Sequence, residues 1–289
     1  MPGLNTTGAP NTLDYNLGRG VIYFASLGSN GLPGADGFRD LGNAPEFSIT
    51  IDTEDLRHQS SRDCLKFTDK RFVISQEIGM SYQLEEWNFQ NISDFFSGST
   101  ETYDNPHDTT FDDVEITSAV VLGNWYQLRD DNGARVYNLD AAGCVYSIED
   151  DATGTGTALV EGTDFEINEQ LGLVRFLPTG SLVAGDAPGF SITTAASTAQ
   201  DLDQVNGLIR AEVTGALMFV ADNAGDCGQK TEWLFHKVSL SADGDMSLIS
   251  DEVGVLPFSG VAEVNSQVSD TSKVLTVRTY DMPSDGGGA

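Results

Sequence analysis

The sequence predicts a mainly β fold with one main helix, and three observations lead there. Short runs of alternating apolar and polar residues recur along the chain, clusters of glycine, asparagine and aspartate separate nearly all of them, and one segment alone carries helical spacing. Alternation over four to eight residues is the pattern of a half-buried strand, because successive side chains point to opposite faces of a sheet.

Taken in order, the first strand candidates are Val21–Ala25, Phe47–Ile51, Arg71–Gln76 and Ile78–Leu84. The rhythm then breaks in Glu86–Phe96, where Phe89, Ile92, Phe95 and Phe96 recur at spacings of three and four. That spacing predicts a helix packed on a sheet by its Phe/Ile stripe, capped by Glu86 or Asn88 at its start and by Gly98 at C′. A middle group follows: Val114–Leu122, Trp125–Arg129, Val145–Glu149, Asp164–Asn168, Leu173–Leu177 and Gly189–Thr194. The closing candidates are Gly215–Val220, Glu232–Leu240, Met246–Ser250, Leu256–Val264 and Lys273–Arg278. Asp131-Asn132-Gly133 and Asp243-Gly244-Asp245 read as hairpin turns, since small residues that tolerate positive φ let strands reverse tightly.

The domain organisation expected from these patterns is an N-terminal arm over 1–17, a β domain over 18–265, and a last strand with a flexible tail over 266–289. Residues 123–194 read as a separate small β unit or as an insertion of hairpins, with no firm boundary. The Asp151–Thr157 tract reads as a mobile loop, because strand pattern resumes on both sides of it.

Composition narrows the function classes. The 289 residues include 44 acidic and 15 basic side chains, a net charge of −29 with a pI near 4.1. Nucleic-acid binding through a basic surface does not fit that balance. The longest uninterrupted apolar run, Ala216–Ala221, has six residues, against roughly 20 for a membrane-spanning helix. Met1–Leu17 has no basic residue and no apolar stretch, so no secretory signal is expected. Cys64, Cys144 and Cys227 are odd in number without CxxC spacing, which speaks against a disulfide framework or zinc site and suits a reducing compartment. The charges are unevenly placed: Arg57, Arg62, Lys66, Lys70 and Arg71 put five of the 15 cations within 15 positions. A basic loop on an acidic body is a candidate contact with another copy of the same protein, or simply a solvated loop.

No catalytic constellation emerges, and the expectation is a protein that is not an enzyme and needs no cofactor. A nucleophile system needs a base held against a hydroxyl. The three histidines, His58, His107 and His236, stand without a GxSxG elbow. Among 44 acidic residues, adjacency of two carboxylates says little about acid–base work. Asp201, Asp203, Asn206, Gly207 and Glu212 approach the spacing of a calcium loop, but Val205 occupies a ligand position and the glycine falls one place late. Gly154-Thr155-Gly156 lacks both the P-loop lysine and the third glycine of a dinucleotide fingerprint.

Several stretches follow one another in a telling order: GRGVIYF from Gly18, DLGNAPEF from Asp40, Leu56–Ser61, NISDFFSG from Asn91, WYQL from Trp125, EGTDFEI from Glu161, GALMFVADN from Gly215, Phe235–Leu240 and Gly244-Asp245. In that order they resemble the major tail tube proteins of long-tailed bacteriophages. The resemblance spans roughly residues 15–265, and Lys273–Arg278 lies beyond it.

This resemblance implies a tail-tube-like β-sandwich or barrel with one flanking α-helix and extended loops, assembled as stacked hexameric rings around a channel for the genome. It implies a virion protein assembled in the host cytoplasm. Its partners would be itself, a tape measure protein, a tail terminator and distal tail proteins, with no membrane. DNA would pass through without specific binding, because a strongly acidic wall repels phosphate. The loop Thr53–Arg71 and the arm Met1–Leu17 would lie between rings, with Arg57, His58, Arg62, Lys66, Lys70 and Arg71 as intersubunit contacts. A salty source environment is the competing explanation of the acidity, and an acidic β-sandwich module binding carbohydrate or a host surface, without tube formation, is the alternative function.

Overall fold

The computed structural model describes residues 18–60, 66–106, 109–140, 143–194, 201–222 and 229–281. Arg62, Cys64, His107, Cys227, the arm over 1–17 and the tail over 284–289 lie outside the described residues. The protein is mainly β, with several antiparallel sheets and, among the described residues, one helix. Its chain divides into two compact units, one holding the residues up to Thr100 and from Val205 onward, the other Glu101–Gln204. The middle hairpins anticipated over 123–194 thus belong to a wider unit.

The first unit is built on a sheet of eight strands. They are β1 (Gly20–Ser26), β2 (Arg39–Asp40), β3 (Glu46–Ser60), β4 (Phe67–Leu84), β13 (Val213–Asp222), β14 (Gln229–Ala242), β15 (Leu256–Ala262) and β16 (Leu275–Asp281). Their order is β2-β1-β13-β14-β15-β4-β3, every neighbour antiparallel. Along β14, residues Val238–Ala242 pair with β15 and Gln229–Phe235 with β16. One face is apolar: Ile22, Phe24, Tyr82, Leu84, Leu217, Phe235, Val238 and Phe258 form its buried core. At Gly215 the β13–β14 register shifts, and a Cβ there would lie 2.2 Å from the Phe24 ring, so only glycine fits.

The helix α1 (Phe89–Phe95) is capped by Asn88, whose side chain accepts from the Asn91 amide at 2.8 Å. It ends in a Schellman arrangement, Gly98 N donating to Ser93 O at 2.7 Å and Ser97 N to Asp94 O at 3.1 Å. Ser97, not the expected Gly98, takes the left-handed position at φ 47°. Gly98 is required one place later, because a Cβ there would meet Asn206 O at 2.3 Å. The buried face also differs from the expected stripe. Phe95 is buried, but Phe89 and Phe96 are exposed, and Asn91, Ser93 and Asp94 are buried in their place. Polar contacts explain this: Asn91 donates to Leu41 O and Glu86 O, while Arg39 reaches both Asn91 and Asp94.

The second unit has two three-stranded sheets. β7 (Trp125–Gln127), β10 (Leu173–Phe176) and β9 (Phe165–Asn168) form one; β6 (Phe111–Glu115), β11 (Gly189–Thr194) and β8 (Val145–Glu149) form the other. Both face one core that includes Leu128, Val136, Val174, Phe176, Phe190 and Ile192. The predicted turn at Asp131-Asn132-Gly133 is present, with Gly133 at φ 83° and Asp130 accepting from the Asn132 and Ala134 amides. Two short strands, β5 (Ser99–Tyr103) and β12 (Leu202–Asn206), pair with each other. Of the approximate calcium spacing, Asp203, Val205 and Asn206 lie on strand β12, while Gly207 and Glu212 fall in the irregular segment after it.

Other expectations need correction. Met246–Ser250 is not a strand but part of the connection between β14 and β15, and its Leu248 and Ile249 are exposed. Asp243-Gly244-Asp245 accordingly opens a long connection rather than closing a tight hairpin. The strand expected to run to Leu122 stops at Glu115. Alternation alone cannot separate a strand from an irregular segment whose apolar residues face water.

His236 on β14 is buried at 5% exposure, its Nε2 2.8 Å from Thr276 Oγ1 and 3.7 Å from Asp270 Oδ2. Burial pushes the imidazole below its usual range; Asp270 pulls it upward, and Arg278 and Lys273 push it down again. The folded chain therefore resists a proton that the unfolded chain accepts, so stability falls as pH drops below about 6.5. Urea unfolding at pH 7.5 and 5.5 is expected to show this loss, and His236→Gln is expected to reduce it. An unchanged difference in the variant would contradict the assignment.

Candidate assembly interface

The longest elements of the fold make its most exposed feature. β3 and β4 pair continuously from Glu46↔Gln83 to Ser60↔Phe67, crossing two bulges. Ile78, Met80, Tyr82 and Leu84 of β4 lie against the core, whereas the strand is exposed throughout 67–77. The hairpin thus leaves the body of its unit and continues in solvent. Expected as a loop between strands, Thr53–Arg71 is strand over Thr53–Ser60 and Phe67–Arg71, because these two segments satisfy each other's backbone groups without a core.

Each face of this projection has its own chemistry. Arg57 and Arg71 stand directly opposite, and both Nε atoms lie 3.0 Å from Asp55 Oδ2. The hydrogen bond from Arg57, helped by the charge of Arg71, holds the Asp55 carboxyl below its usual range. On the other face Leu56 opposes Phe72 and His58 opposes Lys70. The Lys70 ammonium sits 4.7 Å from the centre of the Phe72 ring, and His58 Nδ1 is 2.6 Å from Asp69 Oδ1. That hydrogen bond keeps Asp69 low as well. Such contacts between exposed groups contribute little to folding.

Of the six contact residues expected from sequence, the hairpin brings Arg57, His58, Lys70 and Arg71 together; Lys66 lies just before β4 and Arg62 outside the described residues. Arg57 and Arg71 are partly neutralised by Asp55 of their own chain, whereas Lys66 and Lys70 make no ion pair among the described residues. What sequence reasoning missed is the apolar half of the surface. Ile51, Leu56, Phe67, Phe72, Val73 and Ile74 are between 44% and 66% exposed. The consecutive Phe72-Val73-Ile74 was the available signal, since unbroken apolar residues put apolar side chains on both faces of a strand. An exposed apolar surface on this scale marks an interaction site. β3 is also the last strand of the sheet among the described residues, none of which pairs with its outer backbone edge.

The described residues contain no cluster of three or more His, Cys, Asp or Glu arranged to hold a metal ion, and no helix among them is long and apolar enough to cross a membrane. The family model described as "Protein of unknown function UCP028589" matches residues 15–274, and the protein belongs to that family. None of the curated proteins compared with the chain matches it.

Proposed function

We propose that the protein is a structural virion subunit that assembles into stacked hexameric rings forming the tube of a long phage tail, an acidic conduit for genome passage. One observation carries this reading: the distal β3–β4 hairpin bears exposed apolar side chains, and among the described residues nothing covers it and no strand pairs with the outer edge of β3. A repeating self-assembly covers such a surface in every copy. Charge supports the same reading. The stretch Leu56–Ser75 carries five cations and two carboxylates, net +3, in a chain of net −29, so this segment is attracted to other copies while their bodies repel. The segments that resemble tail tube proteins fall on coherent elements: GRGVIYF on β1, Leu56–Ser61 entering the distal hairpin, NISDFFSG on α1 and its cap, GALMFVADN on β13.

The expected test result is that Arg57→Glu, Lys70→Glu and Arg71→Glu together block growth of high-mass assemblies in sedimentation velocity, while near-UV circular dichroism stays native. Unchanged assemblies would refute the role of these cations. The carbohydrate- or host-binding module remains a second reading because Trp125, 47% exposed and stacked 5.1 Å from the Arg175 guanidinium carbon, borders a cleft of about 560 Å³ with Glu166 and Asn168. That reading requires a wild-type protein that stays monomeric at all concentrations.

A further inference from the structure

We infer that the distal hairpin of one copy seats in a cleft at the opposite edge of the same sheet in a second copy, with Phe72 as the inserted group. This rests on the self-assembly reading and adds the identity of the receiving surface.

The sheet ends in β3 on one side and in β2 on the other. These two edges are chemically unlike. β2 has two residues, and on either side of it the carbonyls of β1 are already occupied: Ile22 O accepts from Leu41 N at 3.0 Å, and Ser26 O from Gly34 N at 2.8 Å. The segment between them closes on itself, Gly28 N donating to Leu32 O at 2.8 Å. A two-residue strand gives a partner little backbone to pair with, so a partner at this edge binds chiefly through side chains. What this edge offers is a cleft of about 540 Å³ lined by Phe24, Leu27, Gly34, Asp36, Arg39 and Gln90.

The cleft is preformed. Phe24 belongs to the core, and Arg39 is fixed by Asp94 and Asn91 and lies over the Phe24 ring, its guanidinium carbon 6.0 Å from the ring centre. Glycines at 28, 34 and 37 leave side chains off much of the lining. Asp36 is exposed and makes no ion pair among the described residues. The hairpin presents the matching chemistry: the Phe72 ring, 44% exposed, with the unpaired Lys70 ammonium 4.7 Å from its centre. An aromatic side chain with a flanking cation suits a cleft of mixed polar and apolar lining in which Leu27 offers apolar contact and Asp36 can meet the ammonium. Leu56, Val73 and Ile74 supply further apolar surface around the insertion, which is needed because a specific interface buries roughly 1,000 Å² or more.

A projecting group at one edge and its cleft at the other make a head-to-tail contact, which closes into a ring or continues as a filament. Two copies held only this way still expose one hairpin and one cleft, so the series does not stop at a dimer.

The test uses the full chain with Cys64, Cys144 and Cys227 replaced by Ala, carrying Asp36→Cys and Lys70→Cys, treated with a short bis-maleimide linker. The expected result is a ladder of covalent multimers extending past the dimer on a denaturing gel, absent from both single-cysteine chains. A second variant, Leu27→Arg, fills the cleft and is expected to lower the assembled fraction at least tenfold with its circular dichroism native. If the double-cysteine chain forms particles by electron microscopy but gives no ladder, the cleft is not the receiver and the inference falls while self-assembly stands. If wild-type protein sediments only as monomer, both fall.

Discussion

Replacing residues 53–76 by Asn-Gly is expected to leave a folded chain that no longer assembles. The substitution joins Asp52 to Glu77, which already face each other, by a two-residue turn suited to antiparallel strands. Every core contact of β4 lies on the retained side: Ile78, Met80, Tyr82 and Leu84 stay in place. The removed part of β4 is exposed along its whole length, so the loss of stability is expected to stay within about 0.5 kcal/mol. Assembly loses its whole apolar and cationic contact surface, and the high-mass species in sedimentation velocity are expected to vanish. A melting point that falls with the deletion would show that the hairpin supports its own unit. Assemblies that persist would show that it is dispensable.

The largest effect on folding is expected in the second unit. Phe190 sits on β11, the central strand between β6 and β8, and is fully buried. Its ring lies 5.5 Å from that of Phe111 and 6.3 Å from that of Tyr146. Phe190→Ala removes those contacts and leaves a cavity, at a cost of about 3–5 kcal/mol. Measured against a typical domain stability of roughly 5–15 kcal/mol, that leaves the unit close to unfolding. Because the core around Phe190 and the core around Phe235 are separate clusters, hydrogen exchange is expected to rise across β6, β8 and β11 while β13 and β14 stay protected. Equal loss in both regions would contradict two independent cores.

How much of this was legible in the sequence depended on what each segment packs against. The positions of β1, β8, β11 and β13 were legible because their apolar residues meet a core, whether spaced along the strand or, as in Ala216–Ala221 of β13, in a continuous run. Segments held by backbone pairing alone leave no such trace. The distal hairpin was therefore split into separate short strands and a loop, although it is one ladder from Glu46 to Phe67. β2, β5 and β12 are too short or too polar for a period to appear. The helix was visible by spacing, but its buried face was not, since Asn91 and Asp94 are held by Arg39 from a distant strand. At the candidate site the cations were legible as a cluster. Sharing of Asp55 by Arg57 and Arg71 was not, because it depends on a register set by bulges. The cleft beside β2 is assembled from two stretches, within 24–28 and 34–39, and the helix residue Gln90, and no periodicity in them announces it.

Cryo-electron microscopy of the purified full-length protein, concentrated at moderate salt, tests the central claim most directly. The account predicts six-fold rings or stacked tubes in which each distal hairpin is covered by a neighbouring copy. Isolated monomers at every concentration, or assemblies in which the hairpins project freely into solvent, would contradict it.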